Sequence, residues 1–202
     1  ELARVNRQYG PEAVFGGSYG WSSAGRFHHA QSQVHRFLNT TIGGYVRSVN
    51  SYSSGAAAVI LPHIIGELNE VARRGVSWDD IAAHSDIILS FGGMALKNSQ
   101  VASGGISRHT EREFMRQAAA RGARFINFSP LRTDMPSEAR AEWWSVVPGS
   151  DAALMLALIH EIVVSGNADR AFLERYCEGW PLFEAYILGN ADGQAKTPRW
   201  AA

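Results

Sequence analysis

Gly16-Gly17-Ser18-Tyr19-Gly20 has the G-x-S-x-G spacing that presents a nucleophilic serine after a strand, and Asp151 and His160 follow in the chain order of a hydrolase triad. Such an elbow needs a helix directly after the serine, whereas Trp21-Ser22-Ser23-Ala24-Gly25 prolongs a loop, so acyl transfer at Ser18 is the weaker use of this segment. His28, His29 and His35 suggest a metal by type alone. Yet His28 and His35 lie about two helical turns apart and no H-E-x-x-H is present, so a polar helix surface or a hydrogen-bonded histidine is the simpler reading. The chain has no G-x-x-x-x-G-K-[ST], which removes a P-loop, and no G-x-G-x-x-G, which leaves a dinucleotide fingerprint unsupported. What remains is a set of segments rich in small hydrogen-bonding residues: Tyr19, Gly20, Trp21, Ser22 and Ser23; Lys97-Asn98; Ser129-Pro130 with Arg132; and Gly149-Ser150-Asp151. Together they suit a large, phosphate-bearing, purine-like ligand, with Lys97 for a phosphate, Asp151 for a guanine N–H edge and free helix N–H groups after Ser150.

The elements that must position these residues alternate. Ala13-Val14-Phe15 into Gly16-Gly17 reads as a short buried strand ending in a loop. A His- and Gln-rich helix is expected over 27–38, a polar stretch over 47–55, and an Ala-rich helix over 56–61 interrupted at Pro62. Ser77-Trp78-Asp79-Asp80 has the pattern of a helix start, with acids where they suit the helix dipole. Residues 86–91 and 124–128 are apolar runs of strand length, separated by a helix over 110–121 that Gly122 closes: the βαβ unit of a parallel sheet. A third short strand is expected over 143–147, then an apolar helix over 152–164 capped by Ser150-Asp151, and tail helices over 169–176 and 181–188. The fold class is α/β with a parallel sheet, and three glycine- or proline-bearing loops, at Gly16-Gly17, Gly92-Gly93 and Ser129-Pro130, fall at strand ends.

Composition narrows the partners. With 19 Lys+Arg against 19 Asp+Glu in 202 residues, there is no electrostatic footprint for nucleic acid or an anionic membrane. The longest apolar stretch, 152–159, is far short of the ~20 residues that cross a bilayer. The single cysteine, Cys177, cannot form an internal disulfide, a Cys-based zinc site or an iron–sulfur site within this chain, and is expected to fill a helix face. Leu2, Val5 and Tyr9 share a helical face with no capping residue before them, as in a helix entered part-way, so the chain reads as a piece of a longer protein.

One serial pattern is more specific than any of these motifs alone. It runs from Gly16-Gly17-Ser18-Tyr19-Gly20-Trp21-Ser22-Ser23-Ala24-Gly25-Arg26 through Gly43-Gly44, Tyr52-Ser53-Ser54-Gly55-Ala56-Ala57 and Pro62-His63. It continues through Lys97, Ser129-Pro130-Leu131-Arg132-Thr133, Gly149-Ser150-Asp151-Ala152-Ala153-Leu154, Ala191-Asp192-Gly193, Lys196-Thr197 and Trp200-Ala201-Ala202. In that order it resembles the molybdopterin S- and N-oxide reductases, which include dimethyl sulfoxide, trimethylamine N-oxide and biotin sulfoxide reductases. The resemblance implies a fragment of a larger multidomain molybdoenzyme with a Rossmann-like three-layer fold. Residues 1–82 would be the portion facing molybdenum and pterin, and 83–202 the Rossmann-like dinucleotide-binding portion.

The resemblance also implies the cofactor: molybdenum held by two molybdopterin guanine dinucleotides, bis(molybdopterin guanine dinucleotide). Ser53 is then the position whose hydroxyl oxygen completes the metal's coordination, a hard oxygen ligand whose pKa a high-valent metal depresses; capping of the Ala-rich helix is the alternative use of Ser53. Tyr19 and Trp21 match the pair whose O–H and indole N–H face the transferred oxygen. Ser22 and Ser23 fall beside the pterin, and Gly20 between the pair. Lys97, Asn98, Ser129, Pro130, Arg132, Gly149, Ser150 and Asp151 fall along the dinucleotides, the last three near the guanosine end. Ser51 stands where relatives commonly have an acid, and Ser129 where they have an asparagine. The implied reaction is oxygen-atom transfer from a small S- or N-oxide, with electrons from an external donor such as a haem or other redox protein, and with the remaining domains of the parent chain as partners. The periplasm is the implied compartment, with the cytoplasm as the alternative. A non-catalytic cofactor-binding or assembly domain and a serine hydrolase using Ser18 stand as alternatives.

Overall fold

The computed structural model describes residues 1–18, 20, 22–49, 52–103 and 108–202, Ser103 in its backbone alone. In chain order the elements are α1 (Leu2–Tyr9), β1 (Ser22–Ser23), α2 (Ala30–Ile42), α3 (Gly55–Ile60), α4 (Leu68–Arg73), α5 (Trp78–His84), β2 (Ile87–Phe91), α6 (Leu96–Ser99) and β3 (Ala102–Ser103). They continue as α7 (Glu111–Arg121), β4 (Arg124–Phe128), β5 (Glu142–Trp144), α8 (Asp151–Val164), α9 (Arg170–Tyr176), α10 (Trp180–Ile187) and α11 (Pro198–Ala201). The fold is α/β. Strands β2, β4 and β5 form a sheet in that order, with β4 and β5 parallel and Asn127 opposite Trp143. At β2 the amide of Arg124 donates to Asp86 O (2.9 Å) and that of Gly92 to Phe128 O (2.9 Å), so β2 and β4 also run in the same direction.

The chain divides into two compact units, one of residues 1–88, 94–125 and 135–141, the other of 89–93, 126–134 and 142–202. The first has its core where α5, α7 and the start of β4 bury Ala82, Met115, Ala118, Ala123 and Phe125 with Met135 and Ala139. Local chemistry sets these elements. The Ser77 hydroxyl accepts from Asp80 N (3.3 Å) ahead of α5, and Gly122, at φ +105, turns the chain out of α7 in a conformation an L side chain resists. Arg121 then ties α7 to the end of α5, donating from Nε to Ala82 O (2.9 Å), from Nη2 to Ser85 O, and pairing with Asp86.

The second unit is built on α8, against which α10 and α11 pack, with Ala157, His160, Val163 and Ile187 buried. Lys196 in this unit is only 1% exposed. The ammonium donates to Asp192 Oδ2 (2.6 Å) and Gln194 O (2.5 Å) and lies 4.1 Å from the Tyr186 ring centroid and 5.4 Å from that of Trp200. This ammonium, with the Gln194 amide, holds the Asp192 carboxyl below the usual carboxylate range.

Several expectations need correction. Residues 13–15 form no strand: Pro11–Ala13 is a 3-10 turn started by a proline that has no N–H to give, and only Phe15 bridges, parallel, to Val46. The first long helix starts at Ala30, after a 3-10 turn at Arg26–His28, and runs on to Ile42 before the left-handed Gly43. Lys97 and Asn98 lie in the short helix α6 rather than in a loop. Cys177 is exposed at the end of α9, where the chain leaves helical geometry, and fills no helix face. Among the described residues no helix is long and apolar enough to cross a membrane.

Candidate functional site

In the first unit the loop around residues 16–25 is held at several points. The Ser18 hydroxyl accepts from Gly20 N (3.2 Å), Ser18 O accepts from Gln31 Nε2 (3.3 Å), and Gly20 O accepts from Gln31 N at the start of α2 (3.1 Å). Glycine is needed at 20, since a Cβ there would stand 2.5 Å from Ala30 Cβ. Ser22 and Ser23 form β1, antiparallel to β3, with Ser22 opposite Ser103 and Ser23 opposite Ala102; the buried Ser23 hydroxyl donates to Gly25 O (3.0 Å). Tyr19, Trp21 and Ser51 lie outside the described residues. No helix follows Ser18 directly and its hydroxyl is engaged within its own turn, so the nucleophile-elbow geometry is not formed.

Ser53 sits exposed in the 3-10 turn Tyr52–Ser54. The N-cap position of α3 belongs to Ser54, without a side-chain cap bond, so Ser53 is not the cap of the Ala-rich helix. Lys97 and Asn98 are both exposed on α6, and Lys97 has no acidic partner among the described residues. The same unit contains a polar cavity of about 310 Å³ lined by Gly16, Gly17, Ser18, Gln31, His35, Arg47 and Ser48.

In the second unit the carboxyl ends of the three parallel strands each open into a loop. After β2, Gly93 takes φ +85, and a Cβ there would meet Asp134 Cβ at 2.4 Å and Asp134 O at 2.5 Å. Beyond β4, Ser129 is fully buried: its hydroxyl donates to Asp134 Oδ2 (2.5 Å) and accepts from Leu131 N (3.2 Å), its amide donates to Trp144 O (3.2 Å), and its carbonyl accepts from Trp143 Nε1 (2.8 Å). The Ser129 side chain therefore shapes the loop, leaving Pro130, Leu131 and Arg132 exposed. Past β5, Gly149 takes φ +87 and the Ser150 hydroxyl turns back to donate to Val147 O (2.7 Å) instead of capping α8. The first-turn N–H groups of this fourteen-residue helix are thus left without a side-chain cap, with Asp151 beside them. Asp134 and Trp143, which hold Ser129, and Arg47 in the cavity had no sequence signal; the pairing of distant segments brings them into place.

The family model described as molybdopterin oxidoreductase matches residues 1–188, and the chain belongs to that family. It is 42% identical over its whole length to the biotin sulfoxide reductase of Cereibacter sphaeroides, of which it covers 27%. It is 37% identical, again over its whole length, to the trimethylamine-N-oxide reductase of Haemophilus influenzae and to the dimethyl sulfoxide/trimethylamine N-oxide reductase of Cereibacter sphaeroides, covering 24% of each. The chain thus spans about a quarter of the length of these curated relatives.

Membership in the family implies a molybdenum–molybdopterin cofactor. The residues fit such a group. The uncapped α8 N-terminus and the exposed Lys97 are acceptor-seeking groups of the kind that hold phosphates. Among the described residues no three His, Cys, Asp or Glu side chains converge to bind a metal.

Proposed function

We propose that the parent protein reduces S-oxides or N-oxides by oxygen-atom transfer at a bis(molybdopterin guanine dinucleotide) centre, and that this chain supplies part of that centre. The observation that carries this reading is the match, without a missing segment, of all 202 residues to relatives named as S- and N-oxide reductases. When bound, the cofactor supplies the two-electron chemistry that accepts one oxygen atom; the protein binds, orients and controls access. In this proposal the exposed Ser53 hydroxyl is the protein's ligand to the metal. Tyr19 O–H and Trp21 N–H donate to the substrate oxygen and hold it in line, and Ser22, Ser23 and Gly20 border the pterin. Lys97, Asn98, Pro130 and Arg132 border the dinucleotides, with the buried Ser129 shaping the loop that carries Pro130 and Arg132, and Gly149, Ser150 and Asp151 receive a guanosine end, the carboxylate accepting from the guanine N–H edge. For a sulfoxide the balance is R₂SO + 2e⁻ + 2H⁺ → R₂S + H₂O, the electrons coming from an external donor. A periplasmic location is part of the proposal, and fractionation of cells producing the parent protein checks it.

The test is metal analysis of the full-length parent protein made in a host that builds the cofactor, wild type beside Ser53→Ala, with reduction of trimethylamine N-oxide and sulfoxides followed in parallel. We expect molybdenum near one per chain in the wild type and loss of activity in the variant. A wild type without molybdenum sinks the catalytic reading and leaves a non-catalytic binding or assembly domain in its place.

A further inference from the structure

The cavity beside Gly16 has no part in the roles above, and its construction is specific. The single parallel bridge between Phe15 and Val46, closed by Val46 N to Val14 O (2.8 Å) and Gly16 N to Val46 O (2.8 Å), aligns the two segments so that Arg47 falls next to Gly16 and Ser48 next to Gly17. From α2, Gln31 and His35 stand four residues apart on one helix face and reach the same cavity. The His35 ring is fixed by stacking on Tyr45, with centroids 5.0 Å apart and planes at 24°. Gly16 is fixed by close packing on its other neighbours, since a Cβ there would lie 2.4 Å from Leu38 Cδ1 and 2.5 Å from Tyr45 Cδ2.

The electrostatics are one-sided. Among the described residues no carboxylate lines the cavity and none pairs with Arg47. A guanidinium with no counter-ion, flanked by an imidazole, hydroxyls and an amide, selects an anion, and its planar fork matches a carboxylate in two parallel hydrogen bonds. The volume, about 310 Å³, exceeds that of a lone small ion and reaches the lower range of organic ligand pockets, so it has room for an anion carried on a carbon chain. The cavity is also contiguous in sequence with the proposed chemistry: Ser18 directly precedes Tyr19, and Arg47 stands six residues before Ser53.

We propose that this cavity binds the carboxylate of an acidic S-oxide substrate through Arg47, making the enzyme prefer carboxylate-bearing S-oxides over neutral ones. The inference rests on the reductase reading for its context, and a phosphate of the cofactor is the other source of the same anion chemistry. The experiment uses the purified parent holoenzyme, wild type, Arg47→Gln and Arg47→Lys. Three readouts are taken: steady-state reduction of 3-(methylsulfinyl)propanoate against its neutral amide, calorimetric binding of the product thioether acid 3-(methylthio)propanoate, and molybdenum content. Loss of one charge-assisted contact predicts an acid-over-amide ratio of kcat/KM that falls about tenfold to a hundredfold in Arg47→Gln, mainly through KM, and recovers in part in Arg47→Lys. The thioether acid should bind wild type and lose affinity by a similar factor in Arg47→Gln. Acid and amide affected alike overturns the proposal. So does a molybdenum content that collapses in Arg47→Gln, since the cavity then holds a cofactor phosphate. If the wild type binds the thioether acid in an Arg47-dependent way yet reduces no S-oxide, the reductase reading fails while the carboxylate site stands.

Discussion

Replacing Lys196 by methionine keeps an unbranched stem in the pocket and removes only the charge, so the loss measures the ammonium and its partners. Two charge-assisted hydrogen bonds, to Asp192 Oδ2 at 2.6 Å and Gln194 O at 2.5 Å, and the Tyr186 and Trp200 rings at 4.1 and 5.4 Å are lost together. Each such hydrogen bond is worth about 1.5–3 kcal/mol and a desolvated cation–π contact about 2 kcal/mol, against a desolvation cost of several kcal/mol for the buried ammonium. The Asp192 side chain is 39% exposed and regains water in the variant, which moderates the damage. The net expectation for Lys196→Met is about 2–3 kcal/mol of local stability, or about 30- to 150-fold faster amide exchange in α11 and in the part of α8 it covers. Hydrogen exchange by mass spectrometry on the parent protein reads this directly. Lys97→Met, at the chain's other and exposed lysine, is the control. The acid dependence has a definite sign. The Asp192 carboxyl is held below its ordinary pKa, chiefly by Lys196, so the pair's contribution is complete above that ordinary value and is lost as pH falls through the folded one. The difference between wild type and variant should therefore shrink below about pH 4. Exchange in α11 within about threefold of wild type at neutral pH would refute the reasoning.

Gly93→Val should destabilise the second unit by about 2 kcal/mol or more, because the position combines φ +85 with Asp134 atoms 2.4–2.5 Å from the added Cβ; a chemical denaturation midpoint equal to wild type would contradict this. The Glu113 carboxyl should titrate at about 2, far below the usual range, because it accepts hydrogen bonds from the Arg116 guanidinium first and Gln117 second. Carboxyl NMR titration checks this, and Arg116→Ala should return the midpoint toward 4.5. Since the folded pKa is lowered, the stabilisation from Glu113 is present above 4.5 and fades as pH falls toward 2.

Much of the scaffold was legible because its signals are local. The apolar runs of β2 and β4, the Gly122 exit from α7, the Ser77 start of α5 and the apolar α8 each follow from a periodicity or a cap within a few residues. The Ser129-Pro130 segment is expected at a strand end and lies directly after β4, and Ser150-Asp151 is expected at the start of the apolar helix and lies at the start of α8. What escaped depends on distant partners. A two-residue strand such as β1 has no periodicity to read and exists only because Ala102–Ser103 pairs with it. Residues 13–15 look like a strand in isolation but have only Val46 to pair with. Ser129 reads as a ligand contact from its motif, yet Asp134 and Trp143 take up its hydroxyl and carbonyl. Arg47 carries no local mark, and its place beside Gly16 is set by pairing across some thirty residues of chain.

The interleaving of the two compact units has a consequence for synthesis. Strands β2 and β4 each give their first residues to one unit and their last to the other, so neither unit is a continuous stretch of polypeptide. A ribosome releasing the chain amino end first cannot supply everything the first unit needs until Ala141 has emerged, and by then two of the three stretches of the second are already outside. The second can be finished only after the first, and the contacts that close each one join segments far apart in sequence, which form slowly. A nascent chain stalled anywhere between residues 93 and 135 therefore holds two unfinished cores at once. Its apolar strands are then exposed to chaperones and proteases well before any cofactor has a place to bind.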